Sequence, residues 1–336
     1  MTTVLYSDAQ LLRARVALAS EIDSRSTALP SRVIEAFLNV ARHPFVPVFY
    51  RDDSSGVHQP WRSAGPDDEE WLSKVYADQV LVTEVDGVHA EQAGPDGQRG
   101  VPTSSSTLPS LMADMLDALD VRPGDRVLEV GTGTGYNAAL LCHLAGAARV
   151  TTVDRTEQLV ATARARLGAV GFEPAVLLTD GVDGYPAGAP YDRIIATCGI
   201  SRLPQAWLDQ CAPGGLIVAP IRGAVARMTK LSDGRAVGRF LHRPAAFMPL
   251  RFGDGPEQKG EKTAGIGLDD PGFSFWAGLH LGGPRDLRET VEAAHRRWLG
   301  QNRPRREWFT IEVGPGGQSQ VVSYPAPDGT EFRWPL

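Results

Sequence analysis

The chain has 336 residues, 42% of them hydrophobic, and 34 Lys and Arg against 40 Asp and Glu, a net charge of -6 at pH 7. That size can bury a large core and accommodates one principal domain plus a substantial extension, while the acidic balance argues against a general nucleic-acid binder, whose phosphate neutralisation needs a basic face. The first residues lack a basic stretch followed by an apolar run, and no segment stays apolar long enough to cross a bilayer, so a cytoplasmic chain with no membrane partner is expected. Cys142, Cys198 and Cys211 are scattered and outside any C-x-x-C spacing, which argues against a disulfide framework and a metal site and for core thiols.

Residues 1–102 read as an N-terminal helical and substrate-loop region. DAQLLRARVALASEI and SRVIEAFLNVA carry helical patterns, followed by RHPFVPVFYRD and WLSKVYADQVLVTEVDG. The polar run GPDDEE is predicted to be an exposed connection, and AEQAGPDGQRGVPTSSST a long loop feeding the core. A lone histidine beside prolines, as His43 is, more often packs or caps than catalyses. Tyr76 and Asp78 in VYADQ either line an acceptor channel or brace the loop. Taken alone, Ser105, Ser106 and Thr107 in TSSST read as a polar linker or as the N-cap of a helix over PSLMADMLDAL.

Residues 103–222 carry the strongest signal. VLEVGTGTGYNAALL, residues 127–141, reads as a buried strand, a glycine turn and the start of a helix. Gly131, Gly133 and Gly135 form G-x-G-x-G rather than the longer spacing of dinucleotide binders, and Glu129 stands two residues before the first glycine. A strand-end acid at that offset suits a ligand without a pyrophosphate. S-adenosylmethionine (SAM) is such a ligand, and glycines let the backbone approach its ammonium and carboxylate closely. A generic nucleotide-binding turn is the alternative.

Further strands follow. RVTTVD ends in Asp154, where a doubly wound sheet places the acid that binds ribose hydroxyls. AVLLTDG reads as a third strand ending in Asp180, placed for the adenine edge; YDRIIATC and PGGLIVAPI supply a fourth and a fifth strand. Helical patterns such as TEQLVATARARLGAV lie between, so crossovers make the sheet parallel and gather Glu129, Asp154 and Asp180 at its carboxyl edge. The fold class is therefore α/β, a Rossmann-like class I SAM-dependent methyltransferase with a largely parallel sheet. Its predicted cofactor-binding set is Glu129, Gly131, Thr132, Gly133, Gly135, Asn137, Asp154, Arg155, Asp180, Gly181 and Thr197.

From residue 223 to 336 the alternation stops. RMTKLSDGRAVGRFL reads as a hairpin around Asp233-Gly234, and FTIEVGPGGQSQVVSY as another. Between them DLRETVEAAHRRWL places Leu287, Val291, Ala294 and Trp298 on one helical stripe. This is an α+β C-terminal extension, expected to recognise a peptide substrate. Arg296, Arg297, Arg303, Arg305 and Arg306 crowd it, either as a solvated face or as a surface for an acidic peptide.

The order of RHPFVPVFYRD, VYADQVLVT, TSSSTLPSLMADML, VLEVGTGTGYNAALL, the acid in VDR, the TDG turn, PYDRIIATC and PGGLIVAPI resembles the protein-L-isoaspartate O-methyltransferase family over residues 35–220. The resemblance implies a carboxyl O-methyltransferase using SAM and releasing S-adenosyl-L-homocysteine. It also places Ser105, Ser106 and Thr107 at the family's acceptor loop as catalytic candidates. Repair enzymes of the family carry Ser-x-Pro there, and this chain has Thr107-Leu108-Pro109. The extension is expected to be longer than theirs. With GRFLHRPAAFMPLR and DDPGFSFW it resembles members that tailor ribosomally made peptides of the graspetide and lanthipeptide types. That subgroup implies an acidic peptide partner already cyclised by an ATP-grasp enzyme.

A carboxylate acceptor is ionised near pH 7 and needs no strong base, so positioning should dominate catalysis. Three readings result: an Asp methyltransferase that leads to an aspartimide in a tailored peptide, an isoaspartate repair methyltransferase, and a non-catalytic SAM-fold binding module.

Overall fold

The computed structural model describes residues 6–26, 28–51, 60–251, 295–296 and 298–336. The phrase DDPGFSFW, the stripe positions Leu287, Val291 and Ala294, and Arg297 lie outside the described residues.

The N-terminal region forms α1 (Asp8–Arg25), α2 (Ser31–Asn39), β1 (Phe49–Arg51), β2 (Arg62–Ala64), α3 (Trp71–Val75), β3 (Leu81–Val85), β4 (Val88–His89), β5 (Pro102–Ser106) and α4 (Pro109–Leu119). Ser7 and Gln10 close a capping box that starts α1, the Ser7 hydroxyl accepting from the Gln10 N–H and the Gln10 side chain from the Ser7 N–H. Next come β6 (Val127–Val130), α5 (Tyr136–Ala145), β7 (Val150–Asp154), α6 (Glu157–Ala169), β8 (Ala175–Leu178), β9 (Tyr191–Ala196), α7 (Gln205–Gln210) and β10 (Cys211–Ile221). The extension supplies β11 (Ala224–Lys230), β12 (Ala236–Pro244), β13 (Thr310–Val313), β14 (Gln320–Pro325) and β15 (Glu331–Pro335).

Two compact units emerge. The first comprises Met1–Asp125 and Thr132–Leu178, the second Arg126–Gly131 and Thr179–Leu336. In the first, α1, α2 and α4 pack together and α2 also meets α5, around an aromatic group in which Tyr136 lies 6.3 Å from Phe37 and 5.7 Å from Phe45 between ring centres. α5 is buried nearly all round, as its continuous apolar sequence requires. A small antiparallel sheet runs β2-β1-β3-β4, and β5 also pairs with β3. β7 and β8 pair in parallel, Asp154 opposite Leu178.

Here the structure corrects one expectation. The stretch through Pro102–Ser106 is a strand, not a loop, linker or helix cap: Ser106 sits opposite Leu81 and Ser105 opposite Val82. Serine has little intrinsic strand preference, so pairing with the apolar Leu81–Val85 decides the conformation.

In the second unit β6, β9 and β10 are parallel neighbours, with Glu129 opposite Ile195 and Ile217 opposite Ile194. All four residues of β6 are buried, as expected of a strand covered on both faces. The sheet then continues antiparallel through β11, β12, β13, β14 and β15. Short turns cannot return a strand in parallel, so the hairpins of the extension make its half of the sheet antiparallel. A two-way amide bridge ties this extension to the loop after β9: Leu203 N–H donates to Gln320 Oε1 at 2.8 Å, and Gln320 Nε2 donates to the Leu203 carbonyl at 2.7 Å.

The extension corrects the arginine reading in part. Arg303 and Arg305 are exposed, and Arg305 lies over the Trp308 ring at 6.0 Å. Arg306 is buried instead and donates to the His242 carbonyl at 3.0 Å, so it braces β12 rather than joining a solvated face. Cys142 and Cys211 are core thiols, and burial pushes Cys211 up to about 12; Cys198 is only half-buried.

Candidate functional site

In the first unit the turn after Gly131 is set by its own backbone and by one acid. Gly133 has φ +51° and Gly135 φ +87°, conformations that side-chain-bearing residues rarely hold. A Cβ on Gly135 would also press on Ala163 Cβ at 3.2 Å and Phe45 Cδ1 at 3.5 Å. The Gly133 N–H donates to Asp154 Oδ2 at 3.1 Å, and Thr156 N–H to Asp154 Oδ1 at 3.1 Å. The Thr132 N–H donates to the Val153 carbonyl at 3.2 Å, and its hydroxyl pairs with that of Thr152 at 2.7 Å. Asn137 is buried in the first turn of α5, and Arg155 is exposed just past β7.

The β5 strand reaches this turn. A Cβ built on Gly133 would stand 3.9 Å from both Ser104 Oγ and Ser105 O. The structure thus brings Gly133, Asp154 and Ser105 to one end of the unit. Strand alternation buries Ser104 and Ser106 and leaves Ser105 half-exposed, with Thr107 half-exposed just past the strand.

Three side chains fasten the acceptor loop from a distance. Arg42, fully buried, spreads its guanidinium over carbonyl oxygens of Val75, Ala77 and Gln79, each at 3.1 Å. It also donates to Thr107 O at 3.2 Å and to Ser106 Oγ at 3.1 Å. Asp78 accepts from the Ser110 N–H at 2.8 Å and from the Ser110 hydroxyl at 2.7 Å, satisfying the start of α4. His43 Nδ1 meets the Tyr76 hydroxyl at 2.8 Å, and its ring packs edge-on to Trp71. Burial, then Arg15, lowers the His43 pKa, while burial raises that of Tyr76. Asp78 and Tyr76 therefore brace the loop, and His43 is a packing residue.

Arg42 was passed over in the sequence, where its neighbour His43 drew attention. The only signal available was an arginine opening an otherwise apolar stretch, RHPFVPVFY. Burial lowers the Arg42 pKa to about 10, which keeps it protonated at neutral pH.

In the second unit, Thr197 holds the end of β6. Its hydroxyl donates to the Gly131 carbonyl at 2.5 Å, and its N–H to the Val130 carbonyl at 2.9 Å. Any Cβ on Gly131 would stand 2.6 Å from that hydroxyl oxygen. Glu129 is wholly buried in β6. Asp180 Oδ1 accepts from the Val182 N–H at 3.0 Å, and the Gly181 carbonyl from Trp207 Nε1 at 2.7 Å. A Cβ on Gly181 would come within 2.7 Å of Val130 Cγ1, so the backbone passes β6 too closely for a side chain.

Positive-φ glycines at a strand end and strand-terminal acids fit a nucleoside ligand. The Asp154 oxygens accept the N–H groups of Gly133 and Thr156, which fixes the carboxylate beside the turn. Fold and residues define a class I SAM-dependent methyltransferase. Residues 69–252 match the family model described as protein-L-isoaspartate(D-aspartate) O-methyltransferase. The protein-L-isoaspartate O-methyltransferase of Methanopyrus kandleri is 36% identical over 245 residues, 71% of this chain and 91% of that one. That of Ignicoccus hospitalis is 41% identical over 149 residues, 42% of this chain and 70% of its own. The chain belongs to the protein-L-isoaspartate O-methyltransferase family, a family of SAM-dependent carboxyl methyltransferases.

Among solved structures, a protein-L-isoaspartate O-methyltransferase matches with TM-score 0.60 and 21% identity over 92% of this chain and 99% of its own. A Plasmodium falciparum chain, described as a beta-aspartate methyltransferase in complex with S-adenosyl-L-homocysteine, matches with TM-score 0.50 and 16% identity over 70% of this chain and 97% of its own.

Proposed function

We propose that the chain transfers the SAM methyl to the free α-carboxylate of an isoaspartyl residue in peptides or proteins. The observation that supports this best is the family match over residues 69–252, a range that takes in β5, the glycine turn and the strand-end acids. Bound SAM supplies an electrophilic sulfonium methyl. The acceptor carboxylate oxygen forms the new C–O bond as the C–S bond breaks and sulfur keeps the electron pair. The acceptor enters as an anion, so the protein's work is orientation and shielding from water.

In this reading Asp154 holds the ribose, and Gly131, Thr132, Gly133 and Gly135 admit the amino-acid end of the cofactor. Glu129, Asn137, Arg155, Asp180, Gly181 and Thr197 complete the cofactor set. Ser105 and Thr107 donate to the acceptor oxygens, and Ser106 supports them. The ester is a better leaving group than a carboxylate, so the following backbone nitrogen closes a succinimide with loss of methanol, and hydrolysis opens it.

A second reading rests on Thr107 standing where the repair enzymes have serine. A β-branched hydroxyl residue is stiffer and bulkier at the acceptor, which favours a restricted substrate. Here the acceptor is an ordinary Asp in an acidic, ribosomally made peptide already closed by an ATP-grasp enzyme, and the ring persists as an aspartimide. Mass spectrometry on matched isoaspartyl, linear aspartyl and macrocyclic aspartyl peptides separates the two. The first reading expects methylation, then methanol loss to the succinimide, then water gain, on the isoaspartyl peptide; fast reaction confined to the macrocycle overturns it in favour of the second.

A further inference from the structure

We propose that Arg42 is the positioning residue of the acceptor site: it fixes the peptide planes at Ser106 and Thr107 against the 75–79 segment, so methyl transfer depends on it while SAM affinity does not. This rests on the carboxyl-methyltransferase reading above.

All three of its nitrogens are used. Nε donates to Ser106 Oγ at 3.3 Å, Nη1 to the carbonyls of Val75 and Ala77 at 3.1 Å each. Nη2 donates to Gln79 O at 3.1 Å, Ser106 Oγ at 3.1 Å, Ser106 O at 3.4 Å and Thr107 O at 3.2 Å. Every acceptor belongs to one of two short segments, and each is a neutral carbonyl or hydroxyl. A guanidinium presents its donors in one rigid plane, so a single side chain sets the mutual geometry of both segments.

The peptide plane turns this into control of the acceptor. In a trans peptide the N–H points opposite to the C=O. With the Ser106 and Thr107 carbonyls turned to Arg42, the N–H groups of Thr107 and Leu108 are turned away from it, together with the direction of the chain that carries the Thr107 hydroxyl. Rotation of either plane would swing those donors. Among the described residues Arg42 makes no hydrogen bond to the glycine turn; its guanidinium lies 6.0 Å over the ring of Tyr136, beside Gly135, a cationic contact that lysine can keep, so cofactor affinity should be spared. Lysine offers three donors on a flexible stem and cannot reproduce the fork.

The test uses Arg42→Lys in the full chain. SAM affinity is read by calorimetry and turnover with a synthetic isoaspartyl peptide. Amide hydrogen exchange is followed at residues 75–81 and 103–110, with 137–145 as internal reference. We expect kcat to fall at least about tenfold, as displacement of reacting groups by an ångström or less can do. The SAM Kd should stay within about twofold, since only interactions outside the cofactor are altered. Exchange should quicken in the two clamped segments and not in the reference. Ser106→Ala, which removes one acceptor and keeps the fold of the rest, should show the same pattern more weakly, and the two substitutions should combine less than additively because they share a contact.

Unchanged turnover and exchange in either folded variant overturns the proposal. So does a fall in SAM affinity and reference protection in step with kcat, which marks general destabilisation. If Arg42→Lys does not fold, Ser106→Ala decides alone. If the wild-type chain leaves isoaspartyl peptide untouched, the proposed function fails, yet the exchange measurement still decides what Arg42 holds.

Discussion

The glycine turn and the acceptor strand are both built around backbone, but different forces hold them. At Gly133 and Gly135 the shape follows from local residues, positive φ and an acid one strand away. At Ser106–Thr107 it follows from Arg42, 64 and 65 residues earlier in the chain, and from Asp78, 32 residues before Ser110. A cofactor common to a whole class can be met by a fixed, local device. The segment proposed for acceptor recognition is held by remote side chains, and on that proposal it can be altered without disturbing the cofactor.

Asp154→Ala should break the first region most severely. The residue ties Gly133 to the end of β7 and is the acid proposed for the ribose, so its loss removes charge-assisted bonds and loosens the turn together. Such bonds contribute on the order of 2 kcal/mol, and we expect SAM affinity to fall by about 30-fold or more. Calorimetry on the folded variant checks it; unchanged affinity removes Asp154 from the cofactor set. Gly135→Ala comes next, because a left-handed conformation costs an alanine about 1–2 kcal/mol and its Cβ also meets Ala163. A lowered Tm with weaker SAM binding is expected, and an unchanged Tm would mean that the turn relaxes freely.

That difference in forces also explains what the sequence revealed. The β6 turn and the strands that end near Asp154 and Asp180 were legible because strand, glycine and acid lie within a few residues of each other. Both hairpins of the extension were legible from their turns. The β5 strand was not, since TSSS has no apolar alternation and takes its conformation from β3. Nor was the burial of Arg42 and Arg306, as arginine is ordinarily exposed and only tertiary contacts show where one is enclosed.

Thr107→Val sharpens the comparison from the acceptor side. The change is nearly isosteric and deletes one hydroxyl donor, so it should cost about 1 kcal/mol in the transfer step and leave SAM affinity unchanged. A fall in kcat of roughly fivefold with constant SAM Kd is the expected result. Full turnover would move acceptor recognition to Ser105 and the backbone amides.

The smallest effect concerns the support beneath that loop. Burial and Arg15 disfavour the charged form of His43, so its folded pKa lies below 6.5. Above that value both folded and unfolded chains hold the ring neutral, and its bond to Tyr76 is intact. As pH falls from 6.5 toward the lower folded value, the unfolded chain takes up a proton that the folded chain resists, and stability is lost. His89 is lowered by burial and Arg166 in the same direction, so it contributes a parallel loss in the same window. In His43→Gln the His43 part vanishes and the His89 part remains. Urea unfolding at pH 7 and pH 5 should therefore show a smaller drop in the variant than in the wild type. Equal drops would mean that His43 protonates as readily in the folded chain as in the unfolded one, and that its contact with Tyr76 does not depend on the neutral ring.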